Sequence, residues 1–217
     1  AIDPAARRAT VQPGVVLDDL NAALRPYALQ FGPDPASSDR STVGGAVANN
    51  ATGSHSIVYG MTADHVLGMR VVLADGSTAD FPHRAGCLPA LLTEHIEHQI
   101  TALLADGANQ RVIREGTPRH WRRCGGYALD RLLSGAAEEG TGRHPALHQL
   151  VCGSEGTLAV MTEITVNLVP RPSCTGLVLL HFDDLYAALA AVPDILETGP
   201  TAVELLDTLS LTLCHGV

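Results

Sequence analysis

The sequence predicts a mixed α+β fold, and three patterns carry that reading. Residues 65–81, HVLGMRVVLADGSTADF, set Leu67, Met69, Val71 and Leu73 on one face. They then turn at Asp75-Gly76 and run back, as a β-hairpin does. Residues 88–105 place Leu88, Leu92, Ile96, Ile100 and Leu103 along one stripe at helical period. In residues 163–168, Ile164, Val166 and Leu168 alternate with Glu163, Thr165 and Asn167, as in a half-buried strand.

The remaining elements fall in order around these three. Residues 9–24, ATVQPGVVLDDLNAAL, give a strand, a Pro13-Gly14 turn and a helix capped near Asp18. The strand follows almost at once on Ala1, which is no initiator methionine, so a fragment or a processed piece is expected. STVGGAVANNATG (41–53) holds three glycines, two adjacent asparagines and no charge, and reads as a loop. GYALDRLL (126–133) restarts a helix, and the Gly-Ser-Glu-Gly turn at 153–156 feeds the long strand. Pro170 and Pro172 break that strand and mark the expected boundary between units 1–170 and 171–217. Beyond them a strand (176–182), a helix (183–197) and the start of another strand (202–207) make the first half of an α/β layer.

Composition narrows the function classes. The 217 residues can bury a sizeable core, and 46% hydrophobic with 17% charged residues suits a globular chain. A formal charge of -9 repels phosphate, which argues against a general nucleic-acid binder. No apolar run reaches the roughly 20 residues of a membrane span. All 14 cationic residues are arginine, so a P-loop and a lysine Schiff base are both excluded. Cys87, Cys124, Cys152, Cys174 and Cys214 form no C-x-x-C pair, which fits thiols in a reducing cytoplasm.

Each candidate motif has a plain alternative. The glycine-rich stretch suits backbone approach to a polar cofactor, or else a tight connection whose small residues serve packing. It is neither G-x-G-x-x-G nor a Walker loop. His95 and His98 stand three apart on the predicted helix, but without H-E-x-x-H they read as a solvated face, and His144 and His148 carry no stronger signal. CGSEG has Cys152 where a nucleophile elbow needs glycine. The arginines between 111 and 131 form a solvated face, with one member available for a bidentate carboxylate contact.

Taken as an ordered series, PGVVLDDLNAAL, FGPDPAS, STVGGAVANNATG, YGMTADHVLGMRVVLADG, GYALDRLL, GSEGTLAVMTEITVNLVP and AVELLD resemble one family. It is the FAD-linked 2-hydroxy-acid dehydrogenases of the vanillyl-alcohol-oxidase-like (PCMH-type) superfamily, in the group that holds the flavin chain of glycolate oxidase, D-lactate dehydrogenase and D-2-hydroxyglutarate dehydrogenase. The resemblance implies the second subdomain of a PCMH-type FAD-binding domain over 1–170 and the start of a ferredoxin-like cap over 171–217. It implies that Pro33, Asp34, Pro35, Ser41, Thr42, Gly44, Gly45, Asn49, Asn50, Gly53, Tyr59, Gly60, Glu155, Gly156 and Val160 line FAD. It further implies that Arg123 faces the substrate carboxylate, with Arg119 and Arg122 as alternates.

The expected reaction is hydride transfer from a small D-2-hydroxy acid to flavin N5, with an unidentified electron acceptor. No metal site, nucleic acid or membrane span is expected within these residues. A cytoplasmic location is expected, or a peripheral one at the inner membrane through the acceptor. The resemblance assigns the first FAD subdomain to residues before 1, and the histidines and acidic residue that assist deprotonation to residues after 217. It names no catalytic base here, and it leads to the expectation that this chain alone binds FAD weakly. Relatives acting on a sugar lactone or an ether-lipid precursor share the FAD subdomain, and a folded scaffold without activity is the non-catalytic alternative.

Overall fold

A computed structural model describes residues 1–82, 91–138 and 145–214. Strands β1 (Ile2–Asp3) and β2 (Arg8–Val11) lead into helix α1 (Leu17–Leu24), a 3-10 turn and strand β3 (Leu29–Gln30). Three short helices follow: α2 (Val43–Ala48), α3 (Ser56–Tyr59) and α4 (Thr62–His65). The hairpin is β4 (Val66–Val72) and β5 (Thr78–Phe81). Helices α5 (Leu91–Ala105), α6 (Gly107–Gly116), α7 (Leu129–Glu138) and α8 (Leu147–Val151) precede strands β6 (Val160–Asn167) and β7 (Val169–Pro170). The chain continues through α9 (Leu185–Glu197) and α10 (Thr208–Cys214).

Five strands form one antiparallel sheet in the order β1-β2-β6-β4-β5. β6 lies at its centre and sets Val166 opposite Ala9 and Ile164 opposite Met69. These side chains are buried with Leu17, Leu20 and Leu24 of α1, Val43, Ala46 and Val47 of α2, and Leu147 and Val151 of α8. The core therefore sits between one sheet face and the helices that position the loops. A smaller cluster joins Leu104, Ile113 and Leu132 from α5, α6 and α7. β3 pairs separately with β7.

The mixed α+β class, the Asp75-Gly76 hairpin and the alternation along β6 all stand as the sequence predicts. Four readings need correction. Residues 41–53 are not wholly a loop, because 43–48 form a helix. Helix α1 is capped at Val16 rather than Asp18: the Leu17 and Asp18 amides donate to the Ser41 and Ser38 carbonyls, at 2.9 and 3.2 Å. Asp18 instead sits in the first turn, where its charge favours the helix dipole.

Leu67 does not join the inner face. The register shifts between Val66 and Gly68, so a bulge turns Leu67 outward to 45% exposure and buries Val66. Finally, neither 176–182 nor 202–207 forms a strand, although α9 falls within the predicted helix. An isolated strand cannot satisfy its backbone groups, and among the described residues neither segment has a ladder partner. On α5, Leu92, Ile96 and Ile100 pack against the core while His95 and His98 are exposed. Leu88, Cys87 and His144 lie outside the described residues.

Candidate functional site

Helix α2 forms despite two glycines because its ends are fixed from outside. Thr42 Oγ1 accepts the Gly45 amide at 3.1 Å, an N-cap bond. The Val43 and Gly44 amides donate to the Val15 and Pro13 carbonyls, both at 2.8 Å. The Pro13-Gly14 turn thus consumes donors that a helix start would otherwise offer to a ligand.

Two of the predicted cofactor glycines serve chain-to-chain approach. A Cβ on Gly44 would stand 2.5 Å from Pro13 Cβ, and one on Gly53 would stand 2.2 Å from Asp34 O. Asn50 is buried with a φ of 47° and is saturated internally. Its Oδ1 accepts the Ala63 amide at 2.9 Å, and its Nδ2 donates to the Arg123 carbonyl at 3.2 Å. Gly45 and Asn49, one turn apart, are exposed, with Ser41, Thr42, Ala48 and Thr52 half-buried beside them in sequence. The residues of the stretch therefore divide into those that pack against the chain and those whose surface is open.

The second predicted segment docks onto the end of α2. The Gly153 and Glu155 amides donate to the Val47 and Ala48 carbonyls, each at 2.9 Å, and cap the helix C-terminus. Glu155 and Gly156 both take positive φ, 52° and 77°, so the turn doubles back. Glu155, Gly156, Thr157, Leu158 and Val160 are exposed. The structure thereby brings 41–53 and 153–160 together. Tyr59 is bonded to other parts of the framework. The Tyr59 carbonyl accepts from His65 Nε2 at 2.7 Å, and its hydroxyl bonds Gln30 Nε2 at 3.3 Å. Pro33 is buried, with Asp34 and Pro35 half-buried after it.

The segment 118–128 completes the group. Tyr127 Oη and Thr157 Oγ1 are 3.0 Å apart. The Arg122 guanidinium lies 5.0 Å over the Trp121 ring, and its Nη2 is 3.5 Å from the Gly53 carbonyl. Arg123 is half-buried, with Nη1 donating to the Pro118 carbonyl at 3.0 Å and Nη2 to Asp130. Arg119 is exposed. A cavity of about 190 Å³ is lined in part by Asn50, Met61, Arg123, Asp130, Arg131 and Cys152. Burial pushes the Cys152 thiol up to about 12, so it is no nucleophile at neutral pH.

One arrangement carries no sequence signal. His55 Nδ1 lies 2.5 Å from Asp34 Oδ2, and the His55 amide donates to Asp34 Oδ1 at 3.2 Å. Next to it, Ser54 Oγ donates to Glu204 Oε1 at 2.6 Å. The partners are 21 and 150 positions apart, so no local spacing reveals either contact. Among the described residues, no three His, Cys, Asp or Glu side chains gather as a metal site. No helix there is long and apolar enough to cross a membrane.

A flat polar cofactor needs an open peptide surface with spare donors. Gly45 is exposed, and a Cβ on Gly156 would meet nothing within 4 Å. Among the described residues, the amides of Thr52, Ser54 and Gly156 find no acceptor. These features fit one side of a dinucleotide such as FAD.

The comparisons with known proteins agree. The FAD binding domain family matches residues 1–81. The chain is 33% identical over 213 residues to a D-2-hydroxyglutarate dehydrogenase of Pantoea ananatis, covering 94% of this chain and 20% of that enzyme. It is 31% identical over 208 residues to glycolate oxidase subunit GlcD of Bacillus subtilis, covering 95% of this chain and 33% of that protein. The chain thus spans a fifth to a third of the length of these relatives. The fold is like that of a solved alkyldihydroxyacetonephosphate synthase, with a TM-score of 0.55 at 20% identity, over 92% of this chain and 29% of that one. Residues 1–81 match the FAD binding domain family, and FAD is the cofactor that this match indicates.

Proposed function

We propose that this chain forms one wall of an FAD-dependent oxidoreductase that oxidises a small D-2-hydroxy acid. The observation that supports it most is the capping of α2 by the 153–160 turn, which joins the two predicted cofactor segments into one exposed surface. When bound, FAD supplies a hydride acceptor at its flavin ring. Ser41, Thr42, Gly45 and Asn49 would hold it from α2 and its two flanks, and Glu155, Gly156 and Val160 from the 153–160 turn. Pro33, Asp34, Pro35, Gly44, Asn50, Gly53, Tyr59 and Gly60 would set the shape behind that surface.

Arg123 would face the substrate carboxylate, its planar fork oriented by Asp130 and the Pro118 carbonyl. Residues 1–170 would act as the cofactor unit and 171–217 as the beginning of a substrate cap. The relatives' names, a D-2-hydroxyglutarate dehydrogenase and a glycolate oxidase component, support the 2-hydroxy-acid class.

The test is flavin absorbance and dye reduction by the complete gene product, with the dye standing in for the electron acceptor. D- and L-enantiomers of lactate and 2-hydroxyglutarate, together with glycolate, are offered as substrates. Bound flavin bleached by a D-hydroxy acid is the expected result. Bound flavin that no hydroxy acid reduces overturns the substrate reading. Arg123→Ala should raise KM at least tenfold while flavin content holds, since a charge-assisted carboxylate contact is worth roughly 1.5–3 kcal/mol. Unchanged kinetics would remove Arg123 from the site.

A further inference from the structure

We infer that Asn50 is the positioning residue of Arg123, tying the end of the glycine-rich helix to the guanidinium assigned to the substrate carboxylate. The inference rests on the role proposed above for Arg123. Three observations support it. The first is that both backbone groups of Arg123 are held from one place. Its carbonyl accepts Asn50 Nδ2 at 3.2 Å, and its amide lies 3.4 Å from Met61 Sδ, a weak acceptor. Asn50 Nδ2 is itself 3.8 Å from that sulfur, so the two side chains grip the backbone of residue 123 together.

The second is how firmly Asn50 is fixed. It lies just past α2, is 5% exposed and takes a φ of 47°, which asparagine tolerates better than most residues. Its Oδ1 accepts the Ala63 amide of α4 at 2.9 Å. A backbone amide only donates and a carbonyl only accepts, so the two contacts settle which end of the side chain is which. On its other side Gly153 leaves room, since a Cβ there would stand 3.4 Å from Asn50 Cβ. One buried side chain thus joins the end of α2, α4 and the segment 118–128.

The third is place. Asn50, Met61, Arg123 and Asp130 line one cavity of about 190 Å³, which Gly153 also borders. The guanidinium is turned there by the Pro118 carbonyl and Asp130, which leaves its Nε without an acceptor among the described residues. Asp130 and Pro118 aim the fork, and Asn50 sets where the backbone beneath it stands. A bidentate carboxylate contact depends on that placement, because both N–H groups must meet their oxygens at once. Asn50 reaches substrate only through Arg123.

The experiment uses Asn50→Asp, Arg123→Ala and the double variant in the complete gene product, assayed for flavin content, KM and kcat. Aspartate keeps the size, the tolerated φ and the acceptor for Ala63. It sets an oxygen where the Arg123 carbonyl needs a donor. Residues of one hydrogen-bond network couple by roughly two- to a hundredfold, so Asn50→Asp should raise KM at least about threefold. Flavin content should hold, and KM should rise by more than kcat falls. The double variant should have the KM of Arg123→Ala alone.

A KM unchanged by Asn50→Asp overturns the assignment. So does an Asn50→Asp effect that persists undiminished in the Arg123→Ala background, because Asn50 would then act by another route. Loss of flavin in Asn50→Asp also overturns it, since Asn50 would then belong to the cofactor contact. A second readout is independent of turnover: hydrogen exchange at 118–128 should quicken in Asn50→Asp while β4 holds its protection. Met61→Leu, a volume-conserving swap that removes the sulfur, should quicken the same segment and covers the case in which Asn50→Asp does not fold. Unchanged exchange at 118–128 in the variants that fold overturns the grip. An Arg123→Ala protein with wild-type KM fails the substrate reading instead, and exchange still decides whether Asn50 holds the segment.

Discussion

The glycines of α2 and its following turn separate into those that pack and those that face outward. Gly53→Ala must displace the Asp34 backbone, which cannot swing away as a side-chain tip can. It should cost about 1–3 kcal/mol, the usual penalty of overpacking, read as a lower urea midpoint. Gly45→Ala gains helix propensity, but its Cβ would crowd Thr42 Oγ1 at 3.2 Å, so stability should move by less than about 1 kcal/mol. FAD affinity should fall in the Gly45 variant if that face carries the cofactor. Sequence composition shows that something approaches these glycines, but another part of the chain and a ligand make the same demand, and only the distances separate them. His148 gives a pH prediction. Burial lowers its imidazole from the ordinary 6.5 to about 4, and its Nδ1 is buried without a partner. Folding therefore favours the neutral ring, so its contribution is present above pH 6.5 and is lost as pH falls through 4. That gap amounts to roughly 3 kcal/mol. His148→Leu should flatten the pH dependence of unfolding between 6.5 and 4, and an unchanged slope would refute the assignment.

At the scale of elements, α2 shows why local propensity misleads. Two glycines in a six-residue helix cost roughly 2 kcal/mol against alanine. The element survives through the Thr42 cap, the Pro13 and Val15 carbonyls, and the burial of Val43, Ala46 and Val47. Thr42→Ala should cost about 1 kcal/mol in global stability and weaken FAD affinity by loosening the wall. Denaturation and flavin titration of the same variant check both effects, and intact affinity would detach the cap from the site. The hairpin and β6 are legible because each keeps period two and a recognisable turn. The outward turn of Leu67 is not legible, since a bulge depends on how β6 meets β4 and leaves no local mark. The same limit hides Asp34 and His55. FGPDPAS can be read as a cofactor segment, yet nothing in it announces that its carboxylate will reach a histidine 21 residues on.

At the scale of the molecule, the two parts of the chain differ in how their backbone is satisfied. Residues 1–170 close a five-stranded sheet whose central residues Ala9, Val71, Ile164 and Val166 are fully buried. Residues 171–217 keep the helix that an apolar stripe and Asp184 specify, with Asp184 Oδ1 accepting the Ala187 amide at 2.8 Å. Their predicted strands remain irregular, and Leu177 and Val178 are 84% and 79% exposed. Alternation in a sequence specifies a strand only conditionally, because the ladder must come from elsewhere. A helix carries its own hydrogen bonds and can be read from its own residues. Hydrogen exchange turns this difference into a measurement. Amides of β2, β4 and β6 should open only with global unfolding, whereas 173–183 should exchange near the rate of unstructured chain. Protection in 173–183 equal to that of β6 would show that this segment has found a strand partner. Saturating FAD should slow exchange at 43–55 and 153–160 together, because Val47 and Ala48 tie the two segments through shared hydrogen bonds. Protection of one segment without the other would break the wall proposed here into two unrelated surfaces.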